Sequence, residues 1–134
     1  ENAQFSTPGV HIGLFCSTPM VALSRNVANK HAMEMLLTGD MTSADRAAEI
    51  GLVNRTAKLD ALKAEAMQLA RKIAGKSSMT LATGKRAFYA QREMPLAEAY
   101  DYASQVMVEN MLAKDAEEGI GAFIEKRTPQ WQDA

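Results

Sequence analysis

The sequence is poor in the residues that build disulfide-linked, membrane-spanning or nucleic-acid-binding proteins. Among its 134 residues Cys16 is the single cysteine, so no disulfide can form within the chain. No apolar run approaches the roughly 20 residues that cross a bilayer. The net charge of −1 leaves no excess of basic side chains for phosphate backbones. We therefore predict neither a nucleic acid nor a membrane as a partner. The unpaired thiol indicates a reducing compartment, for which we predict the cytoplasm, with the mitochondrial matrix as the alternative.

Candidate metal ligands and nucleophiles are also few. His11 and His31 lie twenty residues apart, and since neither has a companion cysteine or carboxylate at ligand spacing, we predict no metal site. Cys16 lacks a basic sequence neighbour that would lower the pKa of its thiol, which favours a structural role. Ser17 and Thr18 have no evident group to activate their hydroxyls. A helix cap is the better explanation for this hydroxyl pair.

The first half of the sequence is broken into short segments by turn residues. Strand and loop are predicted up to about Cys16, followed by a short helix that Pro19 opens. Asn29 is predicted to cap a second helix that ends at Gly39. Thr42 and Asp45 suggest the start of a third helix, and Gly51 before Leu52 resembles a Schellman stop.

The second half has the periodicity of amphipathic helices. One helix is predicted from Asp60 to Gly75, and another from about Ser78 to Gln91, although Gly84 weakens it by about 1 kcal/mol relative to alanine. A longer helix begins at Pro95. Its apolar stripe covers more than four turns and is too long to leave in water: Leu96, Ala99, Tyr100, Ala103, Met107, Asn110 and Met111.

The last helix has the clearest start and stop. Asp115 and Glu118 have the spacing of a capping box, and an apolar face follows with Ile120, Phe123 and Ile124. Lys126 and Arg127 suit the negative end of the helix dipole, and Pro129 ends the turn. On this pattern alone Phe123 is a core residue and Lys126 is a solvated charge.

Three separated stretches together resemble the second half of a member of the enoyl-CoA hydratase/isomerase (crotonase) family. They agree with that family in order and spacing: AQFSTPGVHIGLFCSTPMVALSR at 3–25, AMEMLLTGDMTSADRAAEIGLVNR at 32–55 and DAEEGIGAFIEKRTP at 115–129. The resemblance implies a mainly α chain, the C-terminal helical region of a crotonase-like α/β spiral, with a short strand and loop at its start. It implies that residues 1–57 close the crotonase-like core. Residues 58–134 would form the helical region that assembles a trimer or a dimer of trimers.

The resemblance also bears on catalysis, because position 9 departs from the family pattern. Hydration of an enoyl-CoA uses two carboxylates around one water, and the second belongs to a Phe-x-x-Pro-Glu motif that aligns with Phe5-Ser6-Thr7-Pro8-Gly9. Losing a general acid or base costs about 10²- to 10⁴-fold in rate, so we do not expect the ordinary two-glutamate mechanism. One branch of the family shares this replacement. The other glutamate, the oxyanion hole and most of the CoA cleft belong to an upstream half that this sequence lacks, so the chain alone is predicted to be inactive.

Two residues correspond to CoA contacts that family members make across a subunit boundary. Phe123 matches an aromatic near the adenine and pantetheine, and Lys126 matches a cation beside the phosphates. No cofactor is expected other than the CoA thioester itself, as substrate or ligand. Three interpretations stay open: an enzyme of acyl-CoA metabolism, a non-catalytic acyl-CoA-binding protein, and a helical oligomerisation module.

Overall fold

The computed structural model describes residues 1–133, which contain mainly α-helix. The chain forms two compact units, Glu1–Ala66 and the segment from Met67 onward. In chain order the elements are β1 (Gln4–Phe5), a 3₁₀ helix (Pro8–Ile12), α1 (Ser17–Ser24), α2 (Asn29–Thr38), β2 (Thr42–Ser43), α3 (Ala44–Glu49), α4 (Leu62–Ala74), α5 (Ser78–Gln91), α6 (Leu96–Met111) and α7 (Lys114–Glu125). The prediction of a mainly α chain with a short strand at its start is confirmed. No helix within the described residues is long and apolar enough to span a membrane.

The first unit is organised around a small core that α1 and α2 enclose. Its sheet has two antiparallel strands, in which Gln4 pairs with Ser43 and Phe5 with Thr42. The buried side chains come from α1, the turn after it and α2, and Phe5 and Cys16 are among the half-buried residues around them. The buried cluster comprises Leu23, Val27, Ala32, Met35 and Leu36.

The C-terminal ends of two helices in this unit lie where the sequence predicts them. Gly39 ends α2 in the left-handed conformation, with φ of 68°. The stop after α3 is confirmed as a Schellman motif, because Gly51 has φ of 80° and the Leu52 N–H donates to the Ala47 carbonyl at 2.8 Å,.

Three predicted N-terminal caps of this unit are wrong. Thr42 belongs to β2, and it is the Ser43 hydroxyl that accepts the Arg46 N–H at 3.2 Å. Asn29 is the first residue of α2, and Ala28 at the cap position provides no side-chain bond. Ser17 and Thr18 do not cap α1 either, since they lie within its first turn and Cys16 precedes it. In each case the helix starts one or two residues away from the place that a cap by the predicted side chain would require.

In the second unit α5 packs on α6, and α6 packs on α7. Helix α5 has the predicted bounds, and its cap is Ser77, whose hydroxyl accepts the Thr80 N–H at 3.1 Å. Helix α6 carries the predicted apolar stripe, but the described chain does not cover it. Leu96, Tyr100 and Met107 expose 75%, 70% and 63% of their surface. The stripe therefore remains available for packing against other protein.

Candidate functional site

The turn around Gly9 is fixed to the end of α2 by two hydroxyl groups. Ser6 donates to the Gly39 carbonyl and Thr7 to the Met35 carbonyl, each at 2.8 Å. His11 also lies against this point, with Nε2 3.3 Å from the Gly39 oxygen. Residues 5–16 contain no aspartate or glutamate. The position predicted to lack a catalytic carboxylate is thus held by hydroxyl, imidazole and backbone groups.

Gly9 itself is enclosed by the chain that follows it. Its N–H donates to the Cys16 Sγ at 3.3 Å, and its carbonyl accepts the Leu14 N–H at 2.9 Å. A β-carbon built on Gly9 would lie 2.7 Å from the Leu14 oxygen and 2.8 Å from the Cys16 Sγ. Side chains in folded proteins are not accommodated at such distances without movement of the neighbour. Position 9 therefore lacks the carboxylate and also the room for one.

The histidines do not form a metal centre. His31 Nδ1 lies 3.3 Å from the Arg46 Nη2 and 4.0 Å from the Glu34 Oε2. The statement that His31 has no companion carboxylate is therefore wrong, because Glu34 is one helical turn further along α2. Within residues 1–133 no three histidine, cysteine, aspartate or glutamate side chains are grouped as a metal site would require.

At the end of α7 the two predicted CoA-contacting residues are both exposed. Phe123 exposes 84% of its surface, so it is not a core residue of this chain. Its neighbour Ala122 is buried and faces the unit instead. Lys126 follows three residues later as the C-terminal cap, with an exposed side chain. The ring and the ammonium group therefore both lie at the C-terminal end of α7, one on its last turn and the other on the residue that ends it.

Asp115 has a role that its spacing did not predict. Helix α7 begins one residue before it, with Ala113 as a cap that has no side-chain bond, so the predicted capping box is wrong. The buried Asp115 carboxylate accepts the Gln132 N–H at 2.7 Å and the Asp133 N–H at 3.0 Å. A hydrogen bond from the Ser77 hydroxyl, followed by these two amides, holds the pKa of Asp115 below its usual value against the opposing effect of burial,.

Glu118 makes the second connection to the chain terminus. Both of its oxygens accept from the Arg127 guanidinium, at 2.5 and 2.9 Å, and the Gln130 N–H donates to it at 2.7 Å. The hydrogen bonds from Arg127, and next from the Gln130 amide, lower the pKa of Glu118 to about 2,.

No local pattern in the sequence predicted this folded-back terminus, in which the Trp131 indole also donates to the Gly75 carbonyl at 3.0 Å. Residues 127–133 are hereafter called the tail.

The sequence model described as enoyl-CoA hydratase/isomerase matches residues 1–134. This chain belongs to the enoyl-CoA hydratase/isomerase family. The resemblance in the three sequence stretches is thereby confirmed at the level of the family. The chain is 49% identical over 131 residues to the rat protein named "Enoyl-CoA hydratase domain-containing protein 3, mitochondrial". The match covers 98% of this chain and 44% of the rat protein.

Solved structures of the family agree with the fold. A crystal structure of enoyl-CoA hydratase from Mycobacterium smegmatis superposes with a TM-score of 0.93 at 48% identity, covering 97% of this chain and 51% of that one. The crystal structure of human enoyl-CoA hydratase domain-containing protein 3 superposes with a TM-score of 0.91 at 47% identity, covering 96% of this chain and 51% of the human one. The chain thus spans about half the length of the proteins it matches. The assignment of residues 1–57 and 58–134 to core and oligomerisation region stays a prediction.

One prediction from the sequence is overturned by these relatives. The cytoplasm was inferred from the unpaired thiol of Cys16. The rat and human proteins similar to this chain are named as mitochondrial, so the cytoplasmic prediction is wrong. A reducing compartment does not distinguish cytosol from mitochondrial matrix, because an unpaired cysteine is compatible with both.

Proposed function

We propose that the protein containing this chain binds acyl-CoA and acts on an acyl or enoyl thioester, and that the end of α7 contacts the CoA moiety through Phe123 and Lys126. The observation that supports this most directly is the exposure of both side chains on one helix end. An aromatic ring left 84% exposed at the same helix end as a cation suits a ligand with an adenine ring and phosphates. Stacking on such a ring is worth about 0.5–1.5 kcal/mol.

The reaction itself is constrained by Gly9. Glycine has no side chain to transfer a proton, and a β-carbon here would lie 2.7 Å from the Leu14 oxygen, so this position contributes no general acid or base. Turnover would then depend on groups of the rest of the protein, foremost donors that polarise the thioester carbonyl. Isomerisation or another reaction that needs one carboxylate fits this better than two-glutamate hydration.

A second candidate function is acyl-CoA binding without turnover. The enclosed Gly9 turn favours it, since the turn retains a defined shape while lacking proton-transfer chemistry. A carboxylate on the helix that borders the rest of the cleft would support the enzyme, and its absence would support the binding protein. The third interpretation, a purely oligomerising module, rests on the uncovered stripe of α6.

Titration of CoA and dephospho-CoA into the full-length protein by calorimetry tests the ligand assignment. Lys126→Ala is expected to weaken CoA more than dephospho-CoA, by about 0.2–1 kcal/mol, because only CoA carries the 3′-phosphate. Phe123→Ala should weaken both ligands alike. Lys114→Ala, at the opposite end of the same helix, is the matched control and should change neither. Unchanged affinities for Lys126→Ala and Phe123→Ala would refute the assignment.

We also propose a mitochondrial location and a position in the C-terminal half of a longer protein. The names of the relatives support the first, and the family order of the three sequence stretches supports the second. Fractionation of cells that express the natural protein tests the location. Its intact mass and full sequence test the placement, which fails if the matched stretches precede the oxyanion-hole segment.

A further inference from the structure

The backbone of Lys126 adopts a conformation that lysine rarely takes. Its φ and ψ are 54° and 38°, in the left-handed region. The Lys126 N–H donates to the Phe123 carbonyl at 3.3 Å, and the Arg127 N–H donates to the Ala122 carbonyl at 3.0 Å. This is a Schellman ending, whose left-handed position is usually glycine.

The stops after α2 and α3 have glycine at the equivalent position, as Gly39 and Gly51. For other residues this conformation is disfavoured by roughly 5- to 30-fold. A lysine in this position therefore has to be held there by its surroundings.

Contacts on the C-terminal side of Lys126 hold the turn closed. The Arg127 guanidinium donates two parallel hydrogen bonds to Glu118, and its Nε donates to Glu125 at 2.6 Å. Glu118 is the more enclosed carboxylate, with 17% of its side chain exposed against 62% for Glu125. Glu118 also accepts the Gln130 N–H, so the chain beyond the turn is tied back to the body of α7. An unfavourable backbone conformation persists where surrounding contacts determine it in this way.

We propose that Glu118 and Arg127 are positioning residues that hold Lys126 in its left-handed turn and so direct its ammonium group toward the CoA phosphates. The inference rests on the proposed function, since it requires Lys126 to meet an anion. Arg127 is not itself the ligand cation, because all three guanidinium nitrogens donate to carboxylates. The adjacent cations thus divide their roles, with one binding the ligand and the other fixing the backbone.

A set of three variants of the full-length protein, compared with wild type, tests this. The readout is the ratio of the dephospho-CoA Kd to the CoA Kd, measured by calorimetry. Wild type should show a ratio of about 1.5 to 5, which is what a partly exposed ion contact provides. Lys126→Ala should bring the ratio to 1. Glu118→Gln keeps the shape of the side chain and removes its charge, and should bring the ratio toward 1 while leaving dephospho-CoA affinity unchanged. The matched control is Glu117→Gln, which alters an exposed glutamate of the same helix and should keep the wild-type ratio.

The possible outcomes separate the two proposals. If Lys126→Ala brings the Kd ratio to 1 but Glu118→Gln keeps the wild-type ratio, the positioning role is overturned and the ligand assignment stands. An unaltered ratio in Lys126→Ala overturns both. A fall in affinity for both ligands in Glu118→Gln, at constant ratio, indicates a general loss of structure and also overturns the positioning role.

Hydrogen exchange provides a second measurement that needs no ligand. In Glu118→Gln the peptide covering residues 122–128 should exchange faster than in Glu117→Gln, because the turn opens more often. Adding Lys126→Gly to Glu118→Gln should restore slow exchange by roughly 5-fold or more, since glycine adopts the left-handed conformation without the same penalty. Equal exchange in Glu118→Gln and Glu117→Gln would show that the carboxylate does not hold the turn.

Discussion

Replacement of Gly9 is the sharpest test of the site geometry, because two glycines of this chain should respond with opposite sign. A β-carbon on Gly9 meets the Leu14 oxygen at 2.7 Å and the Cys16 Sγ at 2.8 Å, whereas one on Gly84 in α5 meets nothing within 4 Å. Overpacking of this kind costs about 1–3 kcal/mol. Alanine in place of a mid-helix glycine gains about 0.8–1.0 kcal/mol.

Gly9→Ala in the full-length protein should therefore lower the free energy of unfolding, and Gly84→Ala should raise it. For a domain of 150–250 residues each kcal/mol moves the melting temperature by about 2–4 °C, so calorimetry resolves the difference. Removing the thiol with Cys16→Ala should relieve part of the loss in the Gly9→Ala background, but not the contact with the carbonyl. A Gly9→Ala protein at least as stable as wild type would show that the turn yields freely and that the enclosure argument is incorrect.

The same contacts predict the activity of Gly9→Glu. The substitution supplies the carboxylate that family hydratases carry, so sequence comparison alone would expect a gain in crotonyl-CoA hydration. Because the β-carbon has no room, we expect no gain, together with destabilisation similar to that of Gly9→Ala. A clear increase in the loss of enoyl-thioester absorbance, with a folded protein, would contradict this.

Three further predictions concern the chain as a whole. The 134-residue chain alone should not hydrate crotonyl-CoA, and enoyl-thioester absorbance that falls above the blank in proportion to protein would disprove this. The exposed stripe of Leu96, Tyr100 and Met107 should drive assembly of the full-length protein into a trimer or a dimer of trimers, so a stable monomer at micromolar concentration in light scattering would speak against it. The pKa of Glu118 is lowered from 4.5 to about 2, so its contribution to stability is present above pH 4.5 and disappears as the pH falls toward 2. Chemical denaturation across this range should show a fall in the free energy of unfolding, and this fall should be smaller in Glu118→Gln.

Several features that depend on neighbouring residues were predictable from the sequence, although the caps at Asn29 and at Ser17 and Thr18 were not. Features that depend on distant residues were missed. The bounds of α5 and the stop at Gly51 follow from local periodicity and from glycine at a left-handed position, and both are confirmed. Thr42 was assigned to a helix start because its pairing with Phe5, far upstream, leaves no trace in local spacing. Asp115 likewise has the spacing of a cap, but its partners lie 17 and 18 residues away.

The candidate site shows the same division. The absence of a carboxylate at position 9 can be read directly from the sequence. The enclosure of that position depends on where the folded chain places the Leu14 oxygen and the Cys16 Sγ. The exposure of Phe123 could not be derived from its apolar character, since the same periodicity places a residue in a core or at a ligand. The left-handed turn at Lys126 is invisible to propensity, which would place glycine there.

The attachment of the tail to α7 has a consequence for how its sequence can vary. Asp115 and Glu118 bind the amides of Gln130, Gln132 and Asp133, and an amide is the same for nearly every amino acid. The side chains of Gln130 and Gln132 can therefore vary without loss of those bonds, whereas Asp133 is constrained because its Oδ1 accepts the Ser78 N–H at 2.7 Å. Proline is the exception, because it has no N–H to donate, so positions 130 and 132 should tolerate broad sequence variation while excluding one residue type.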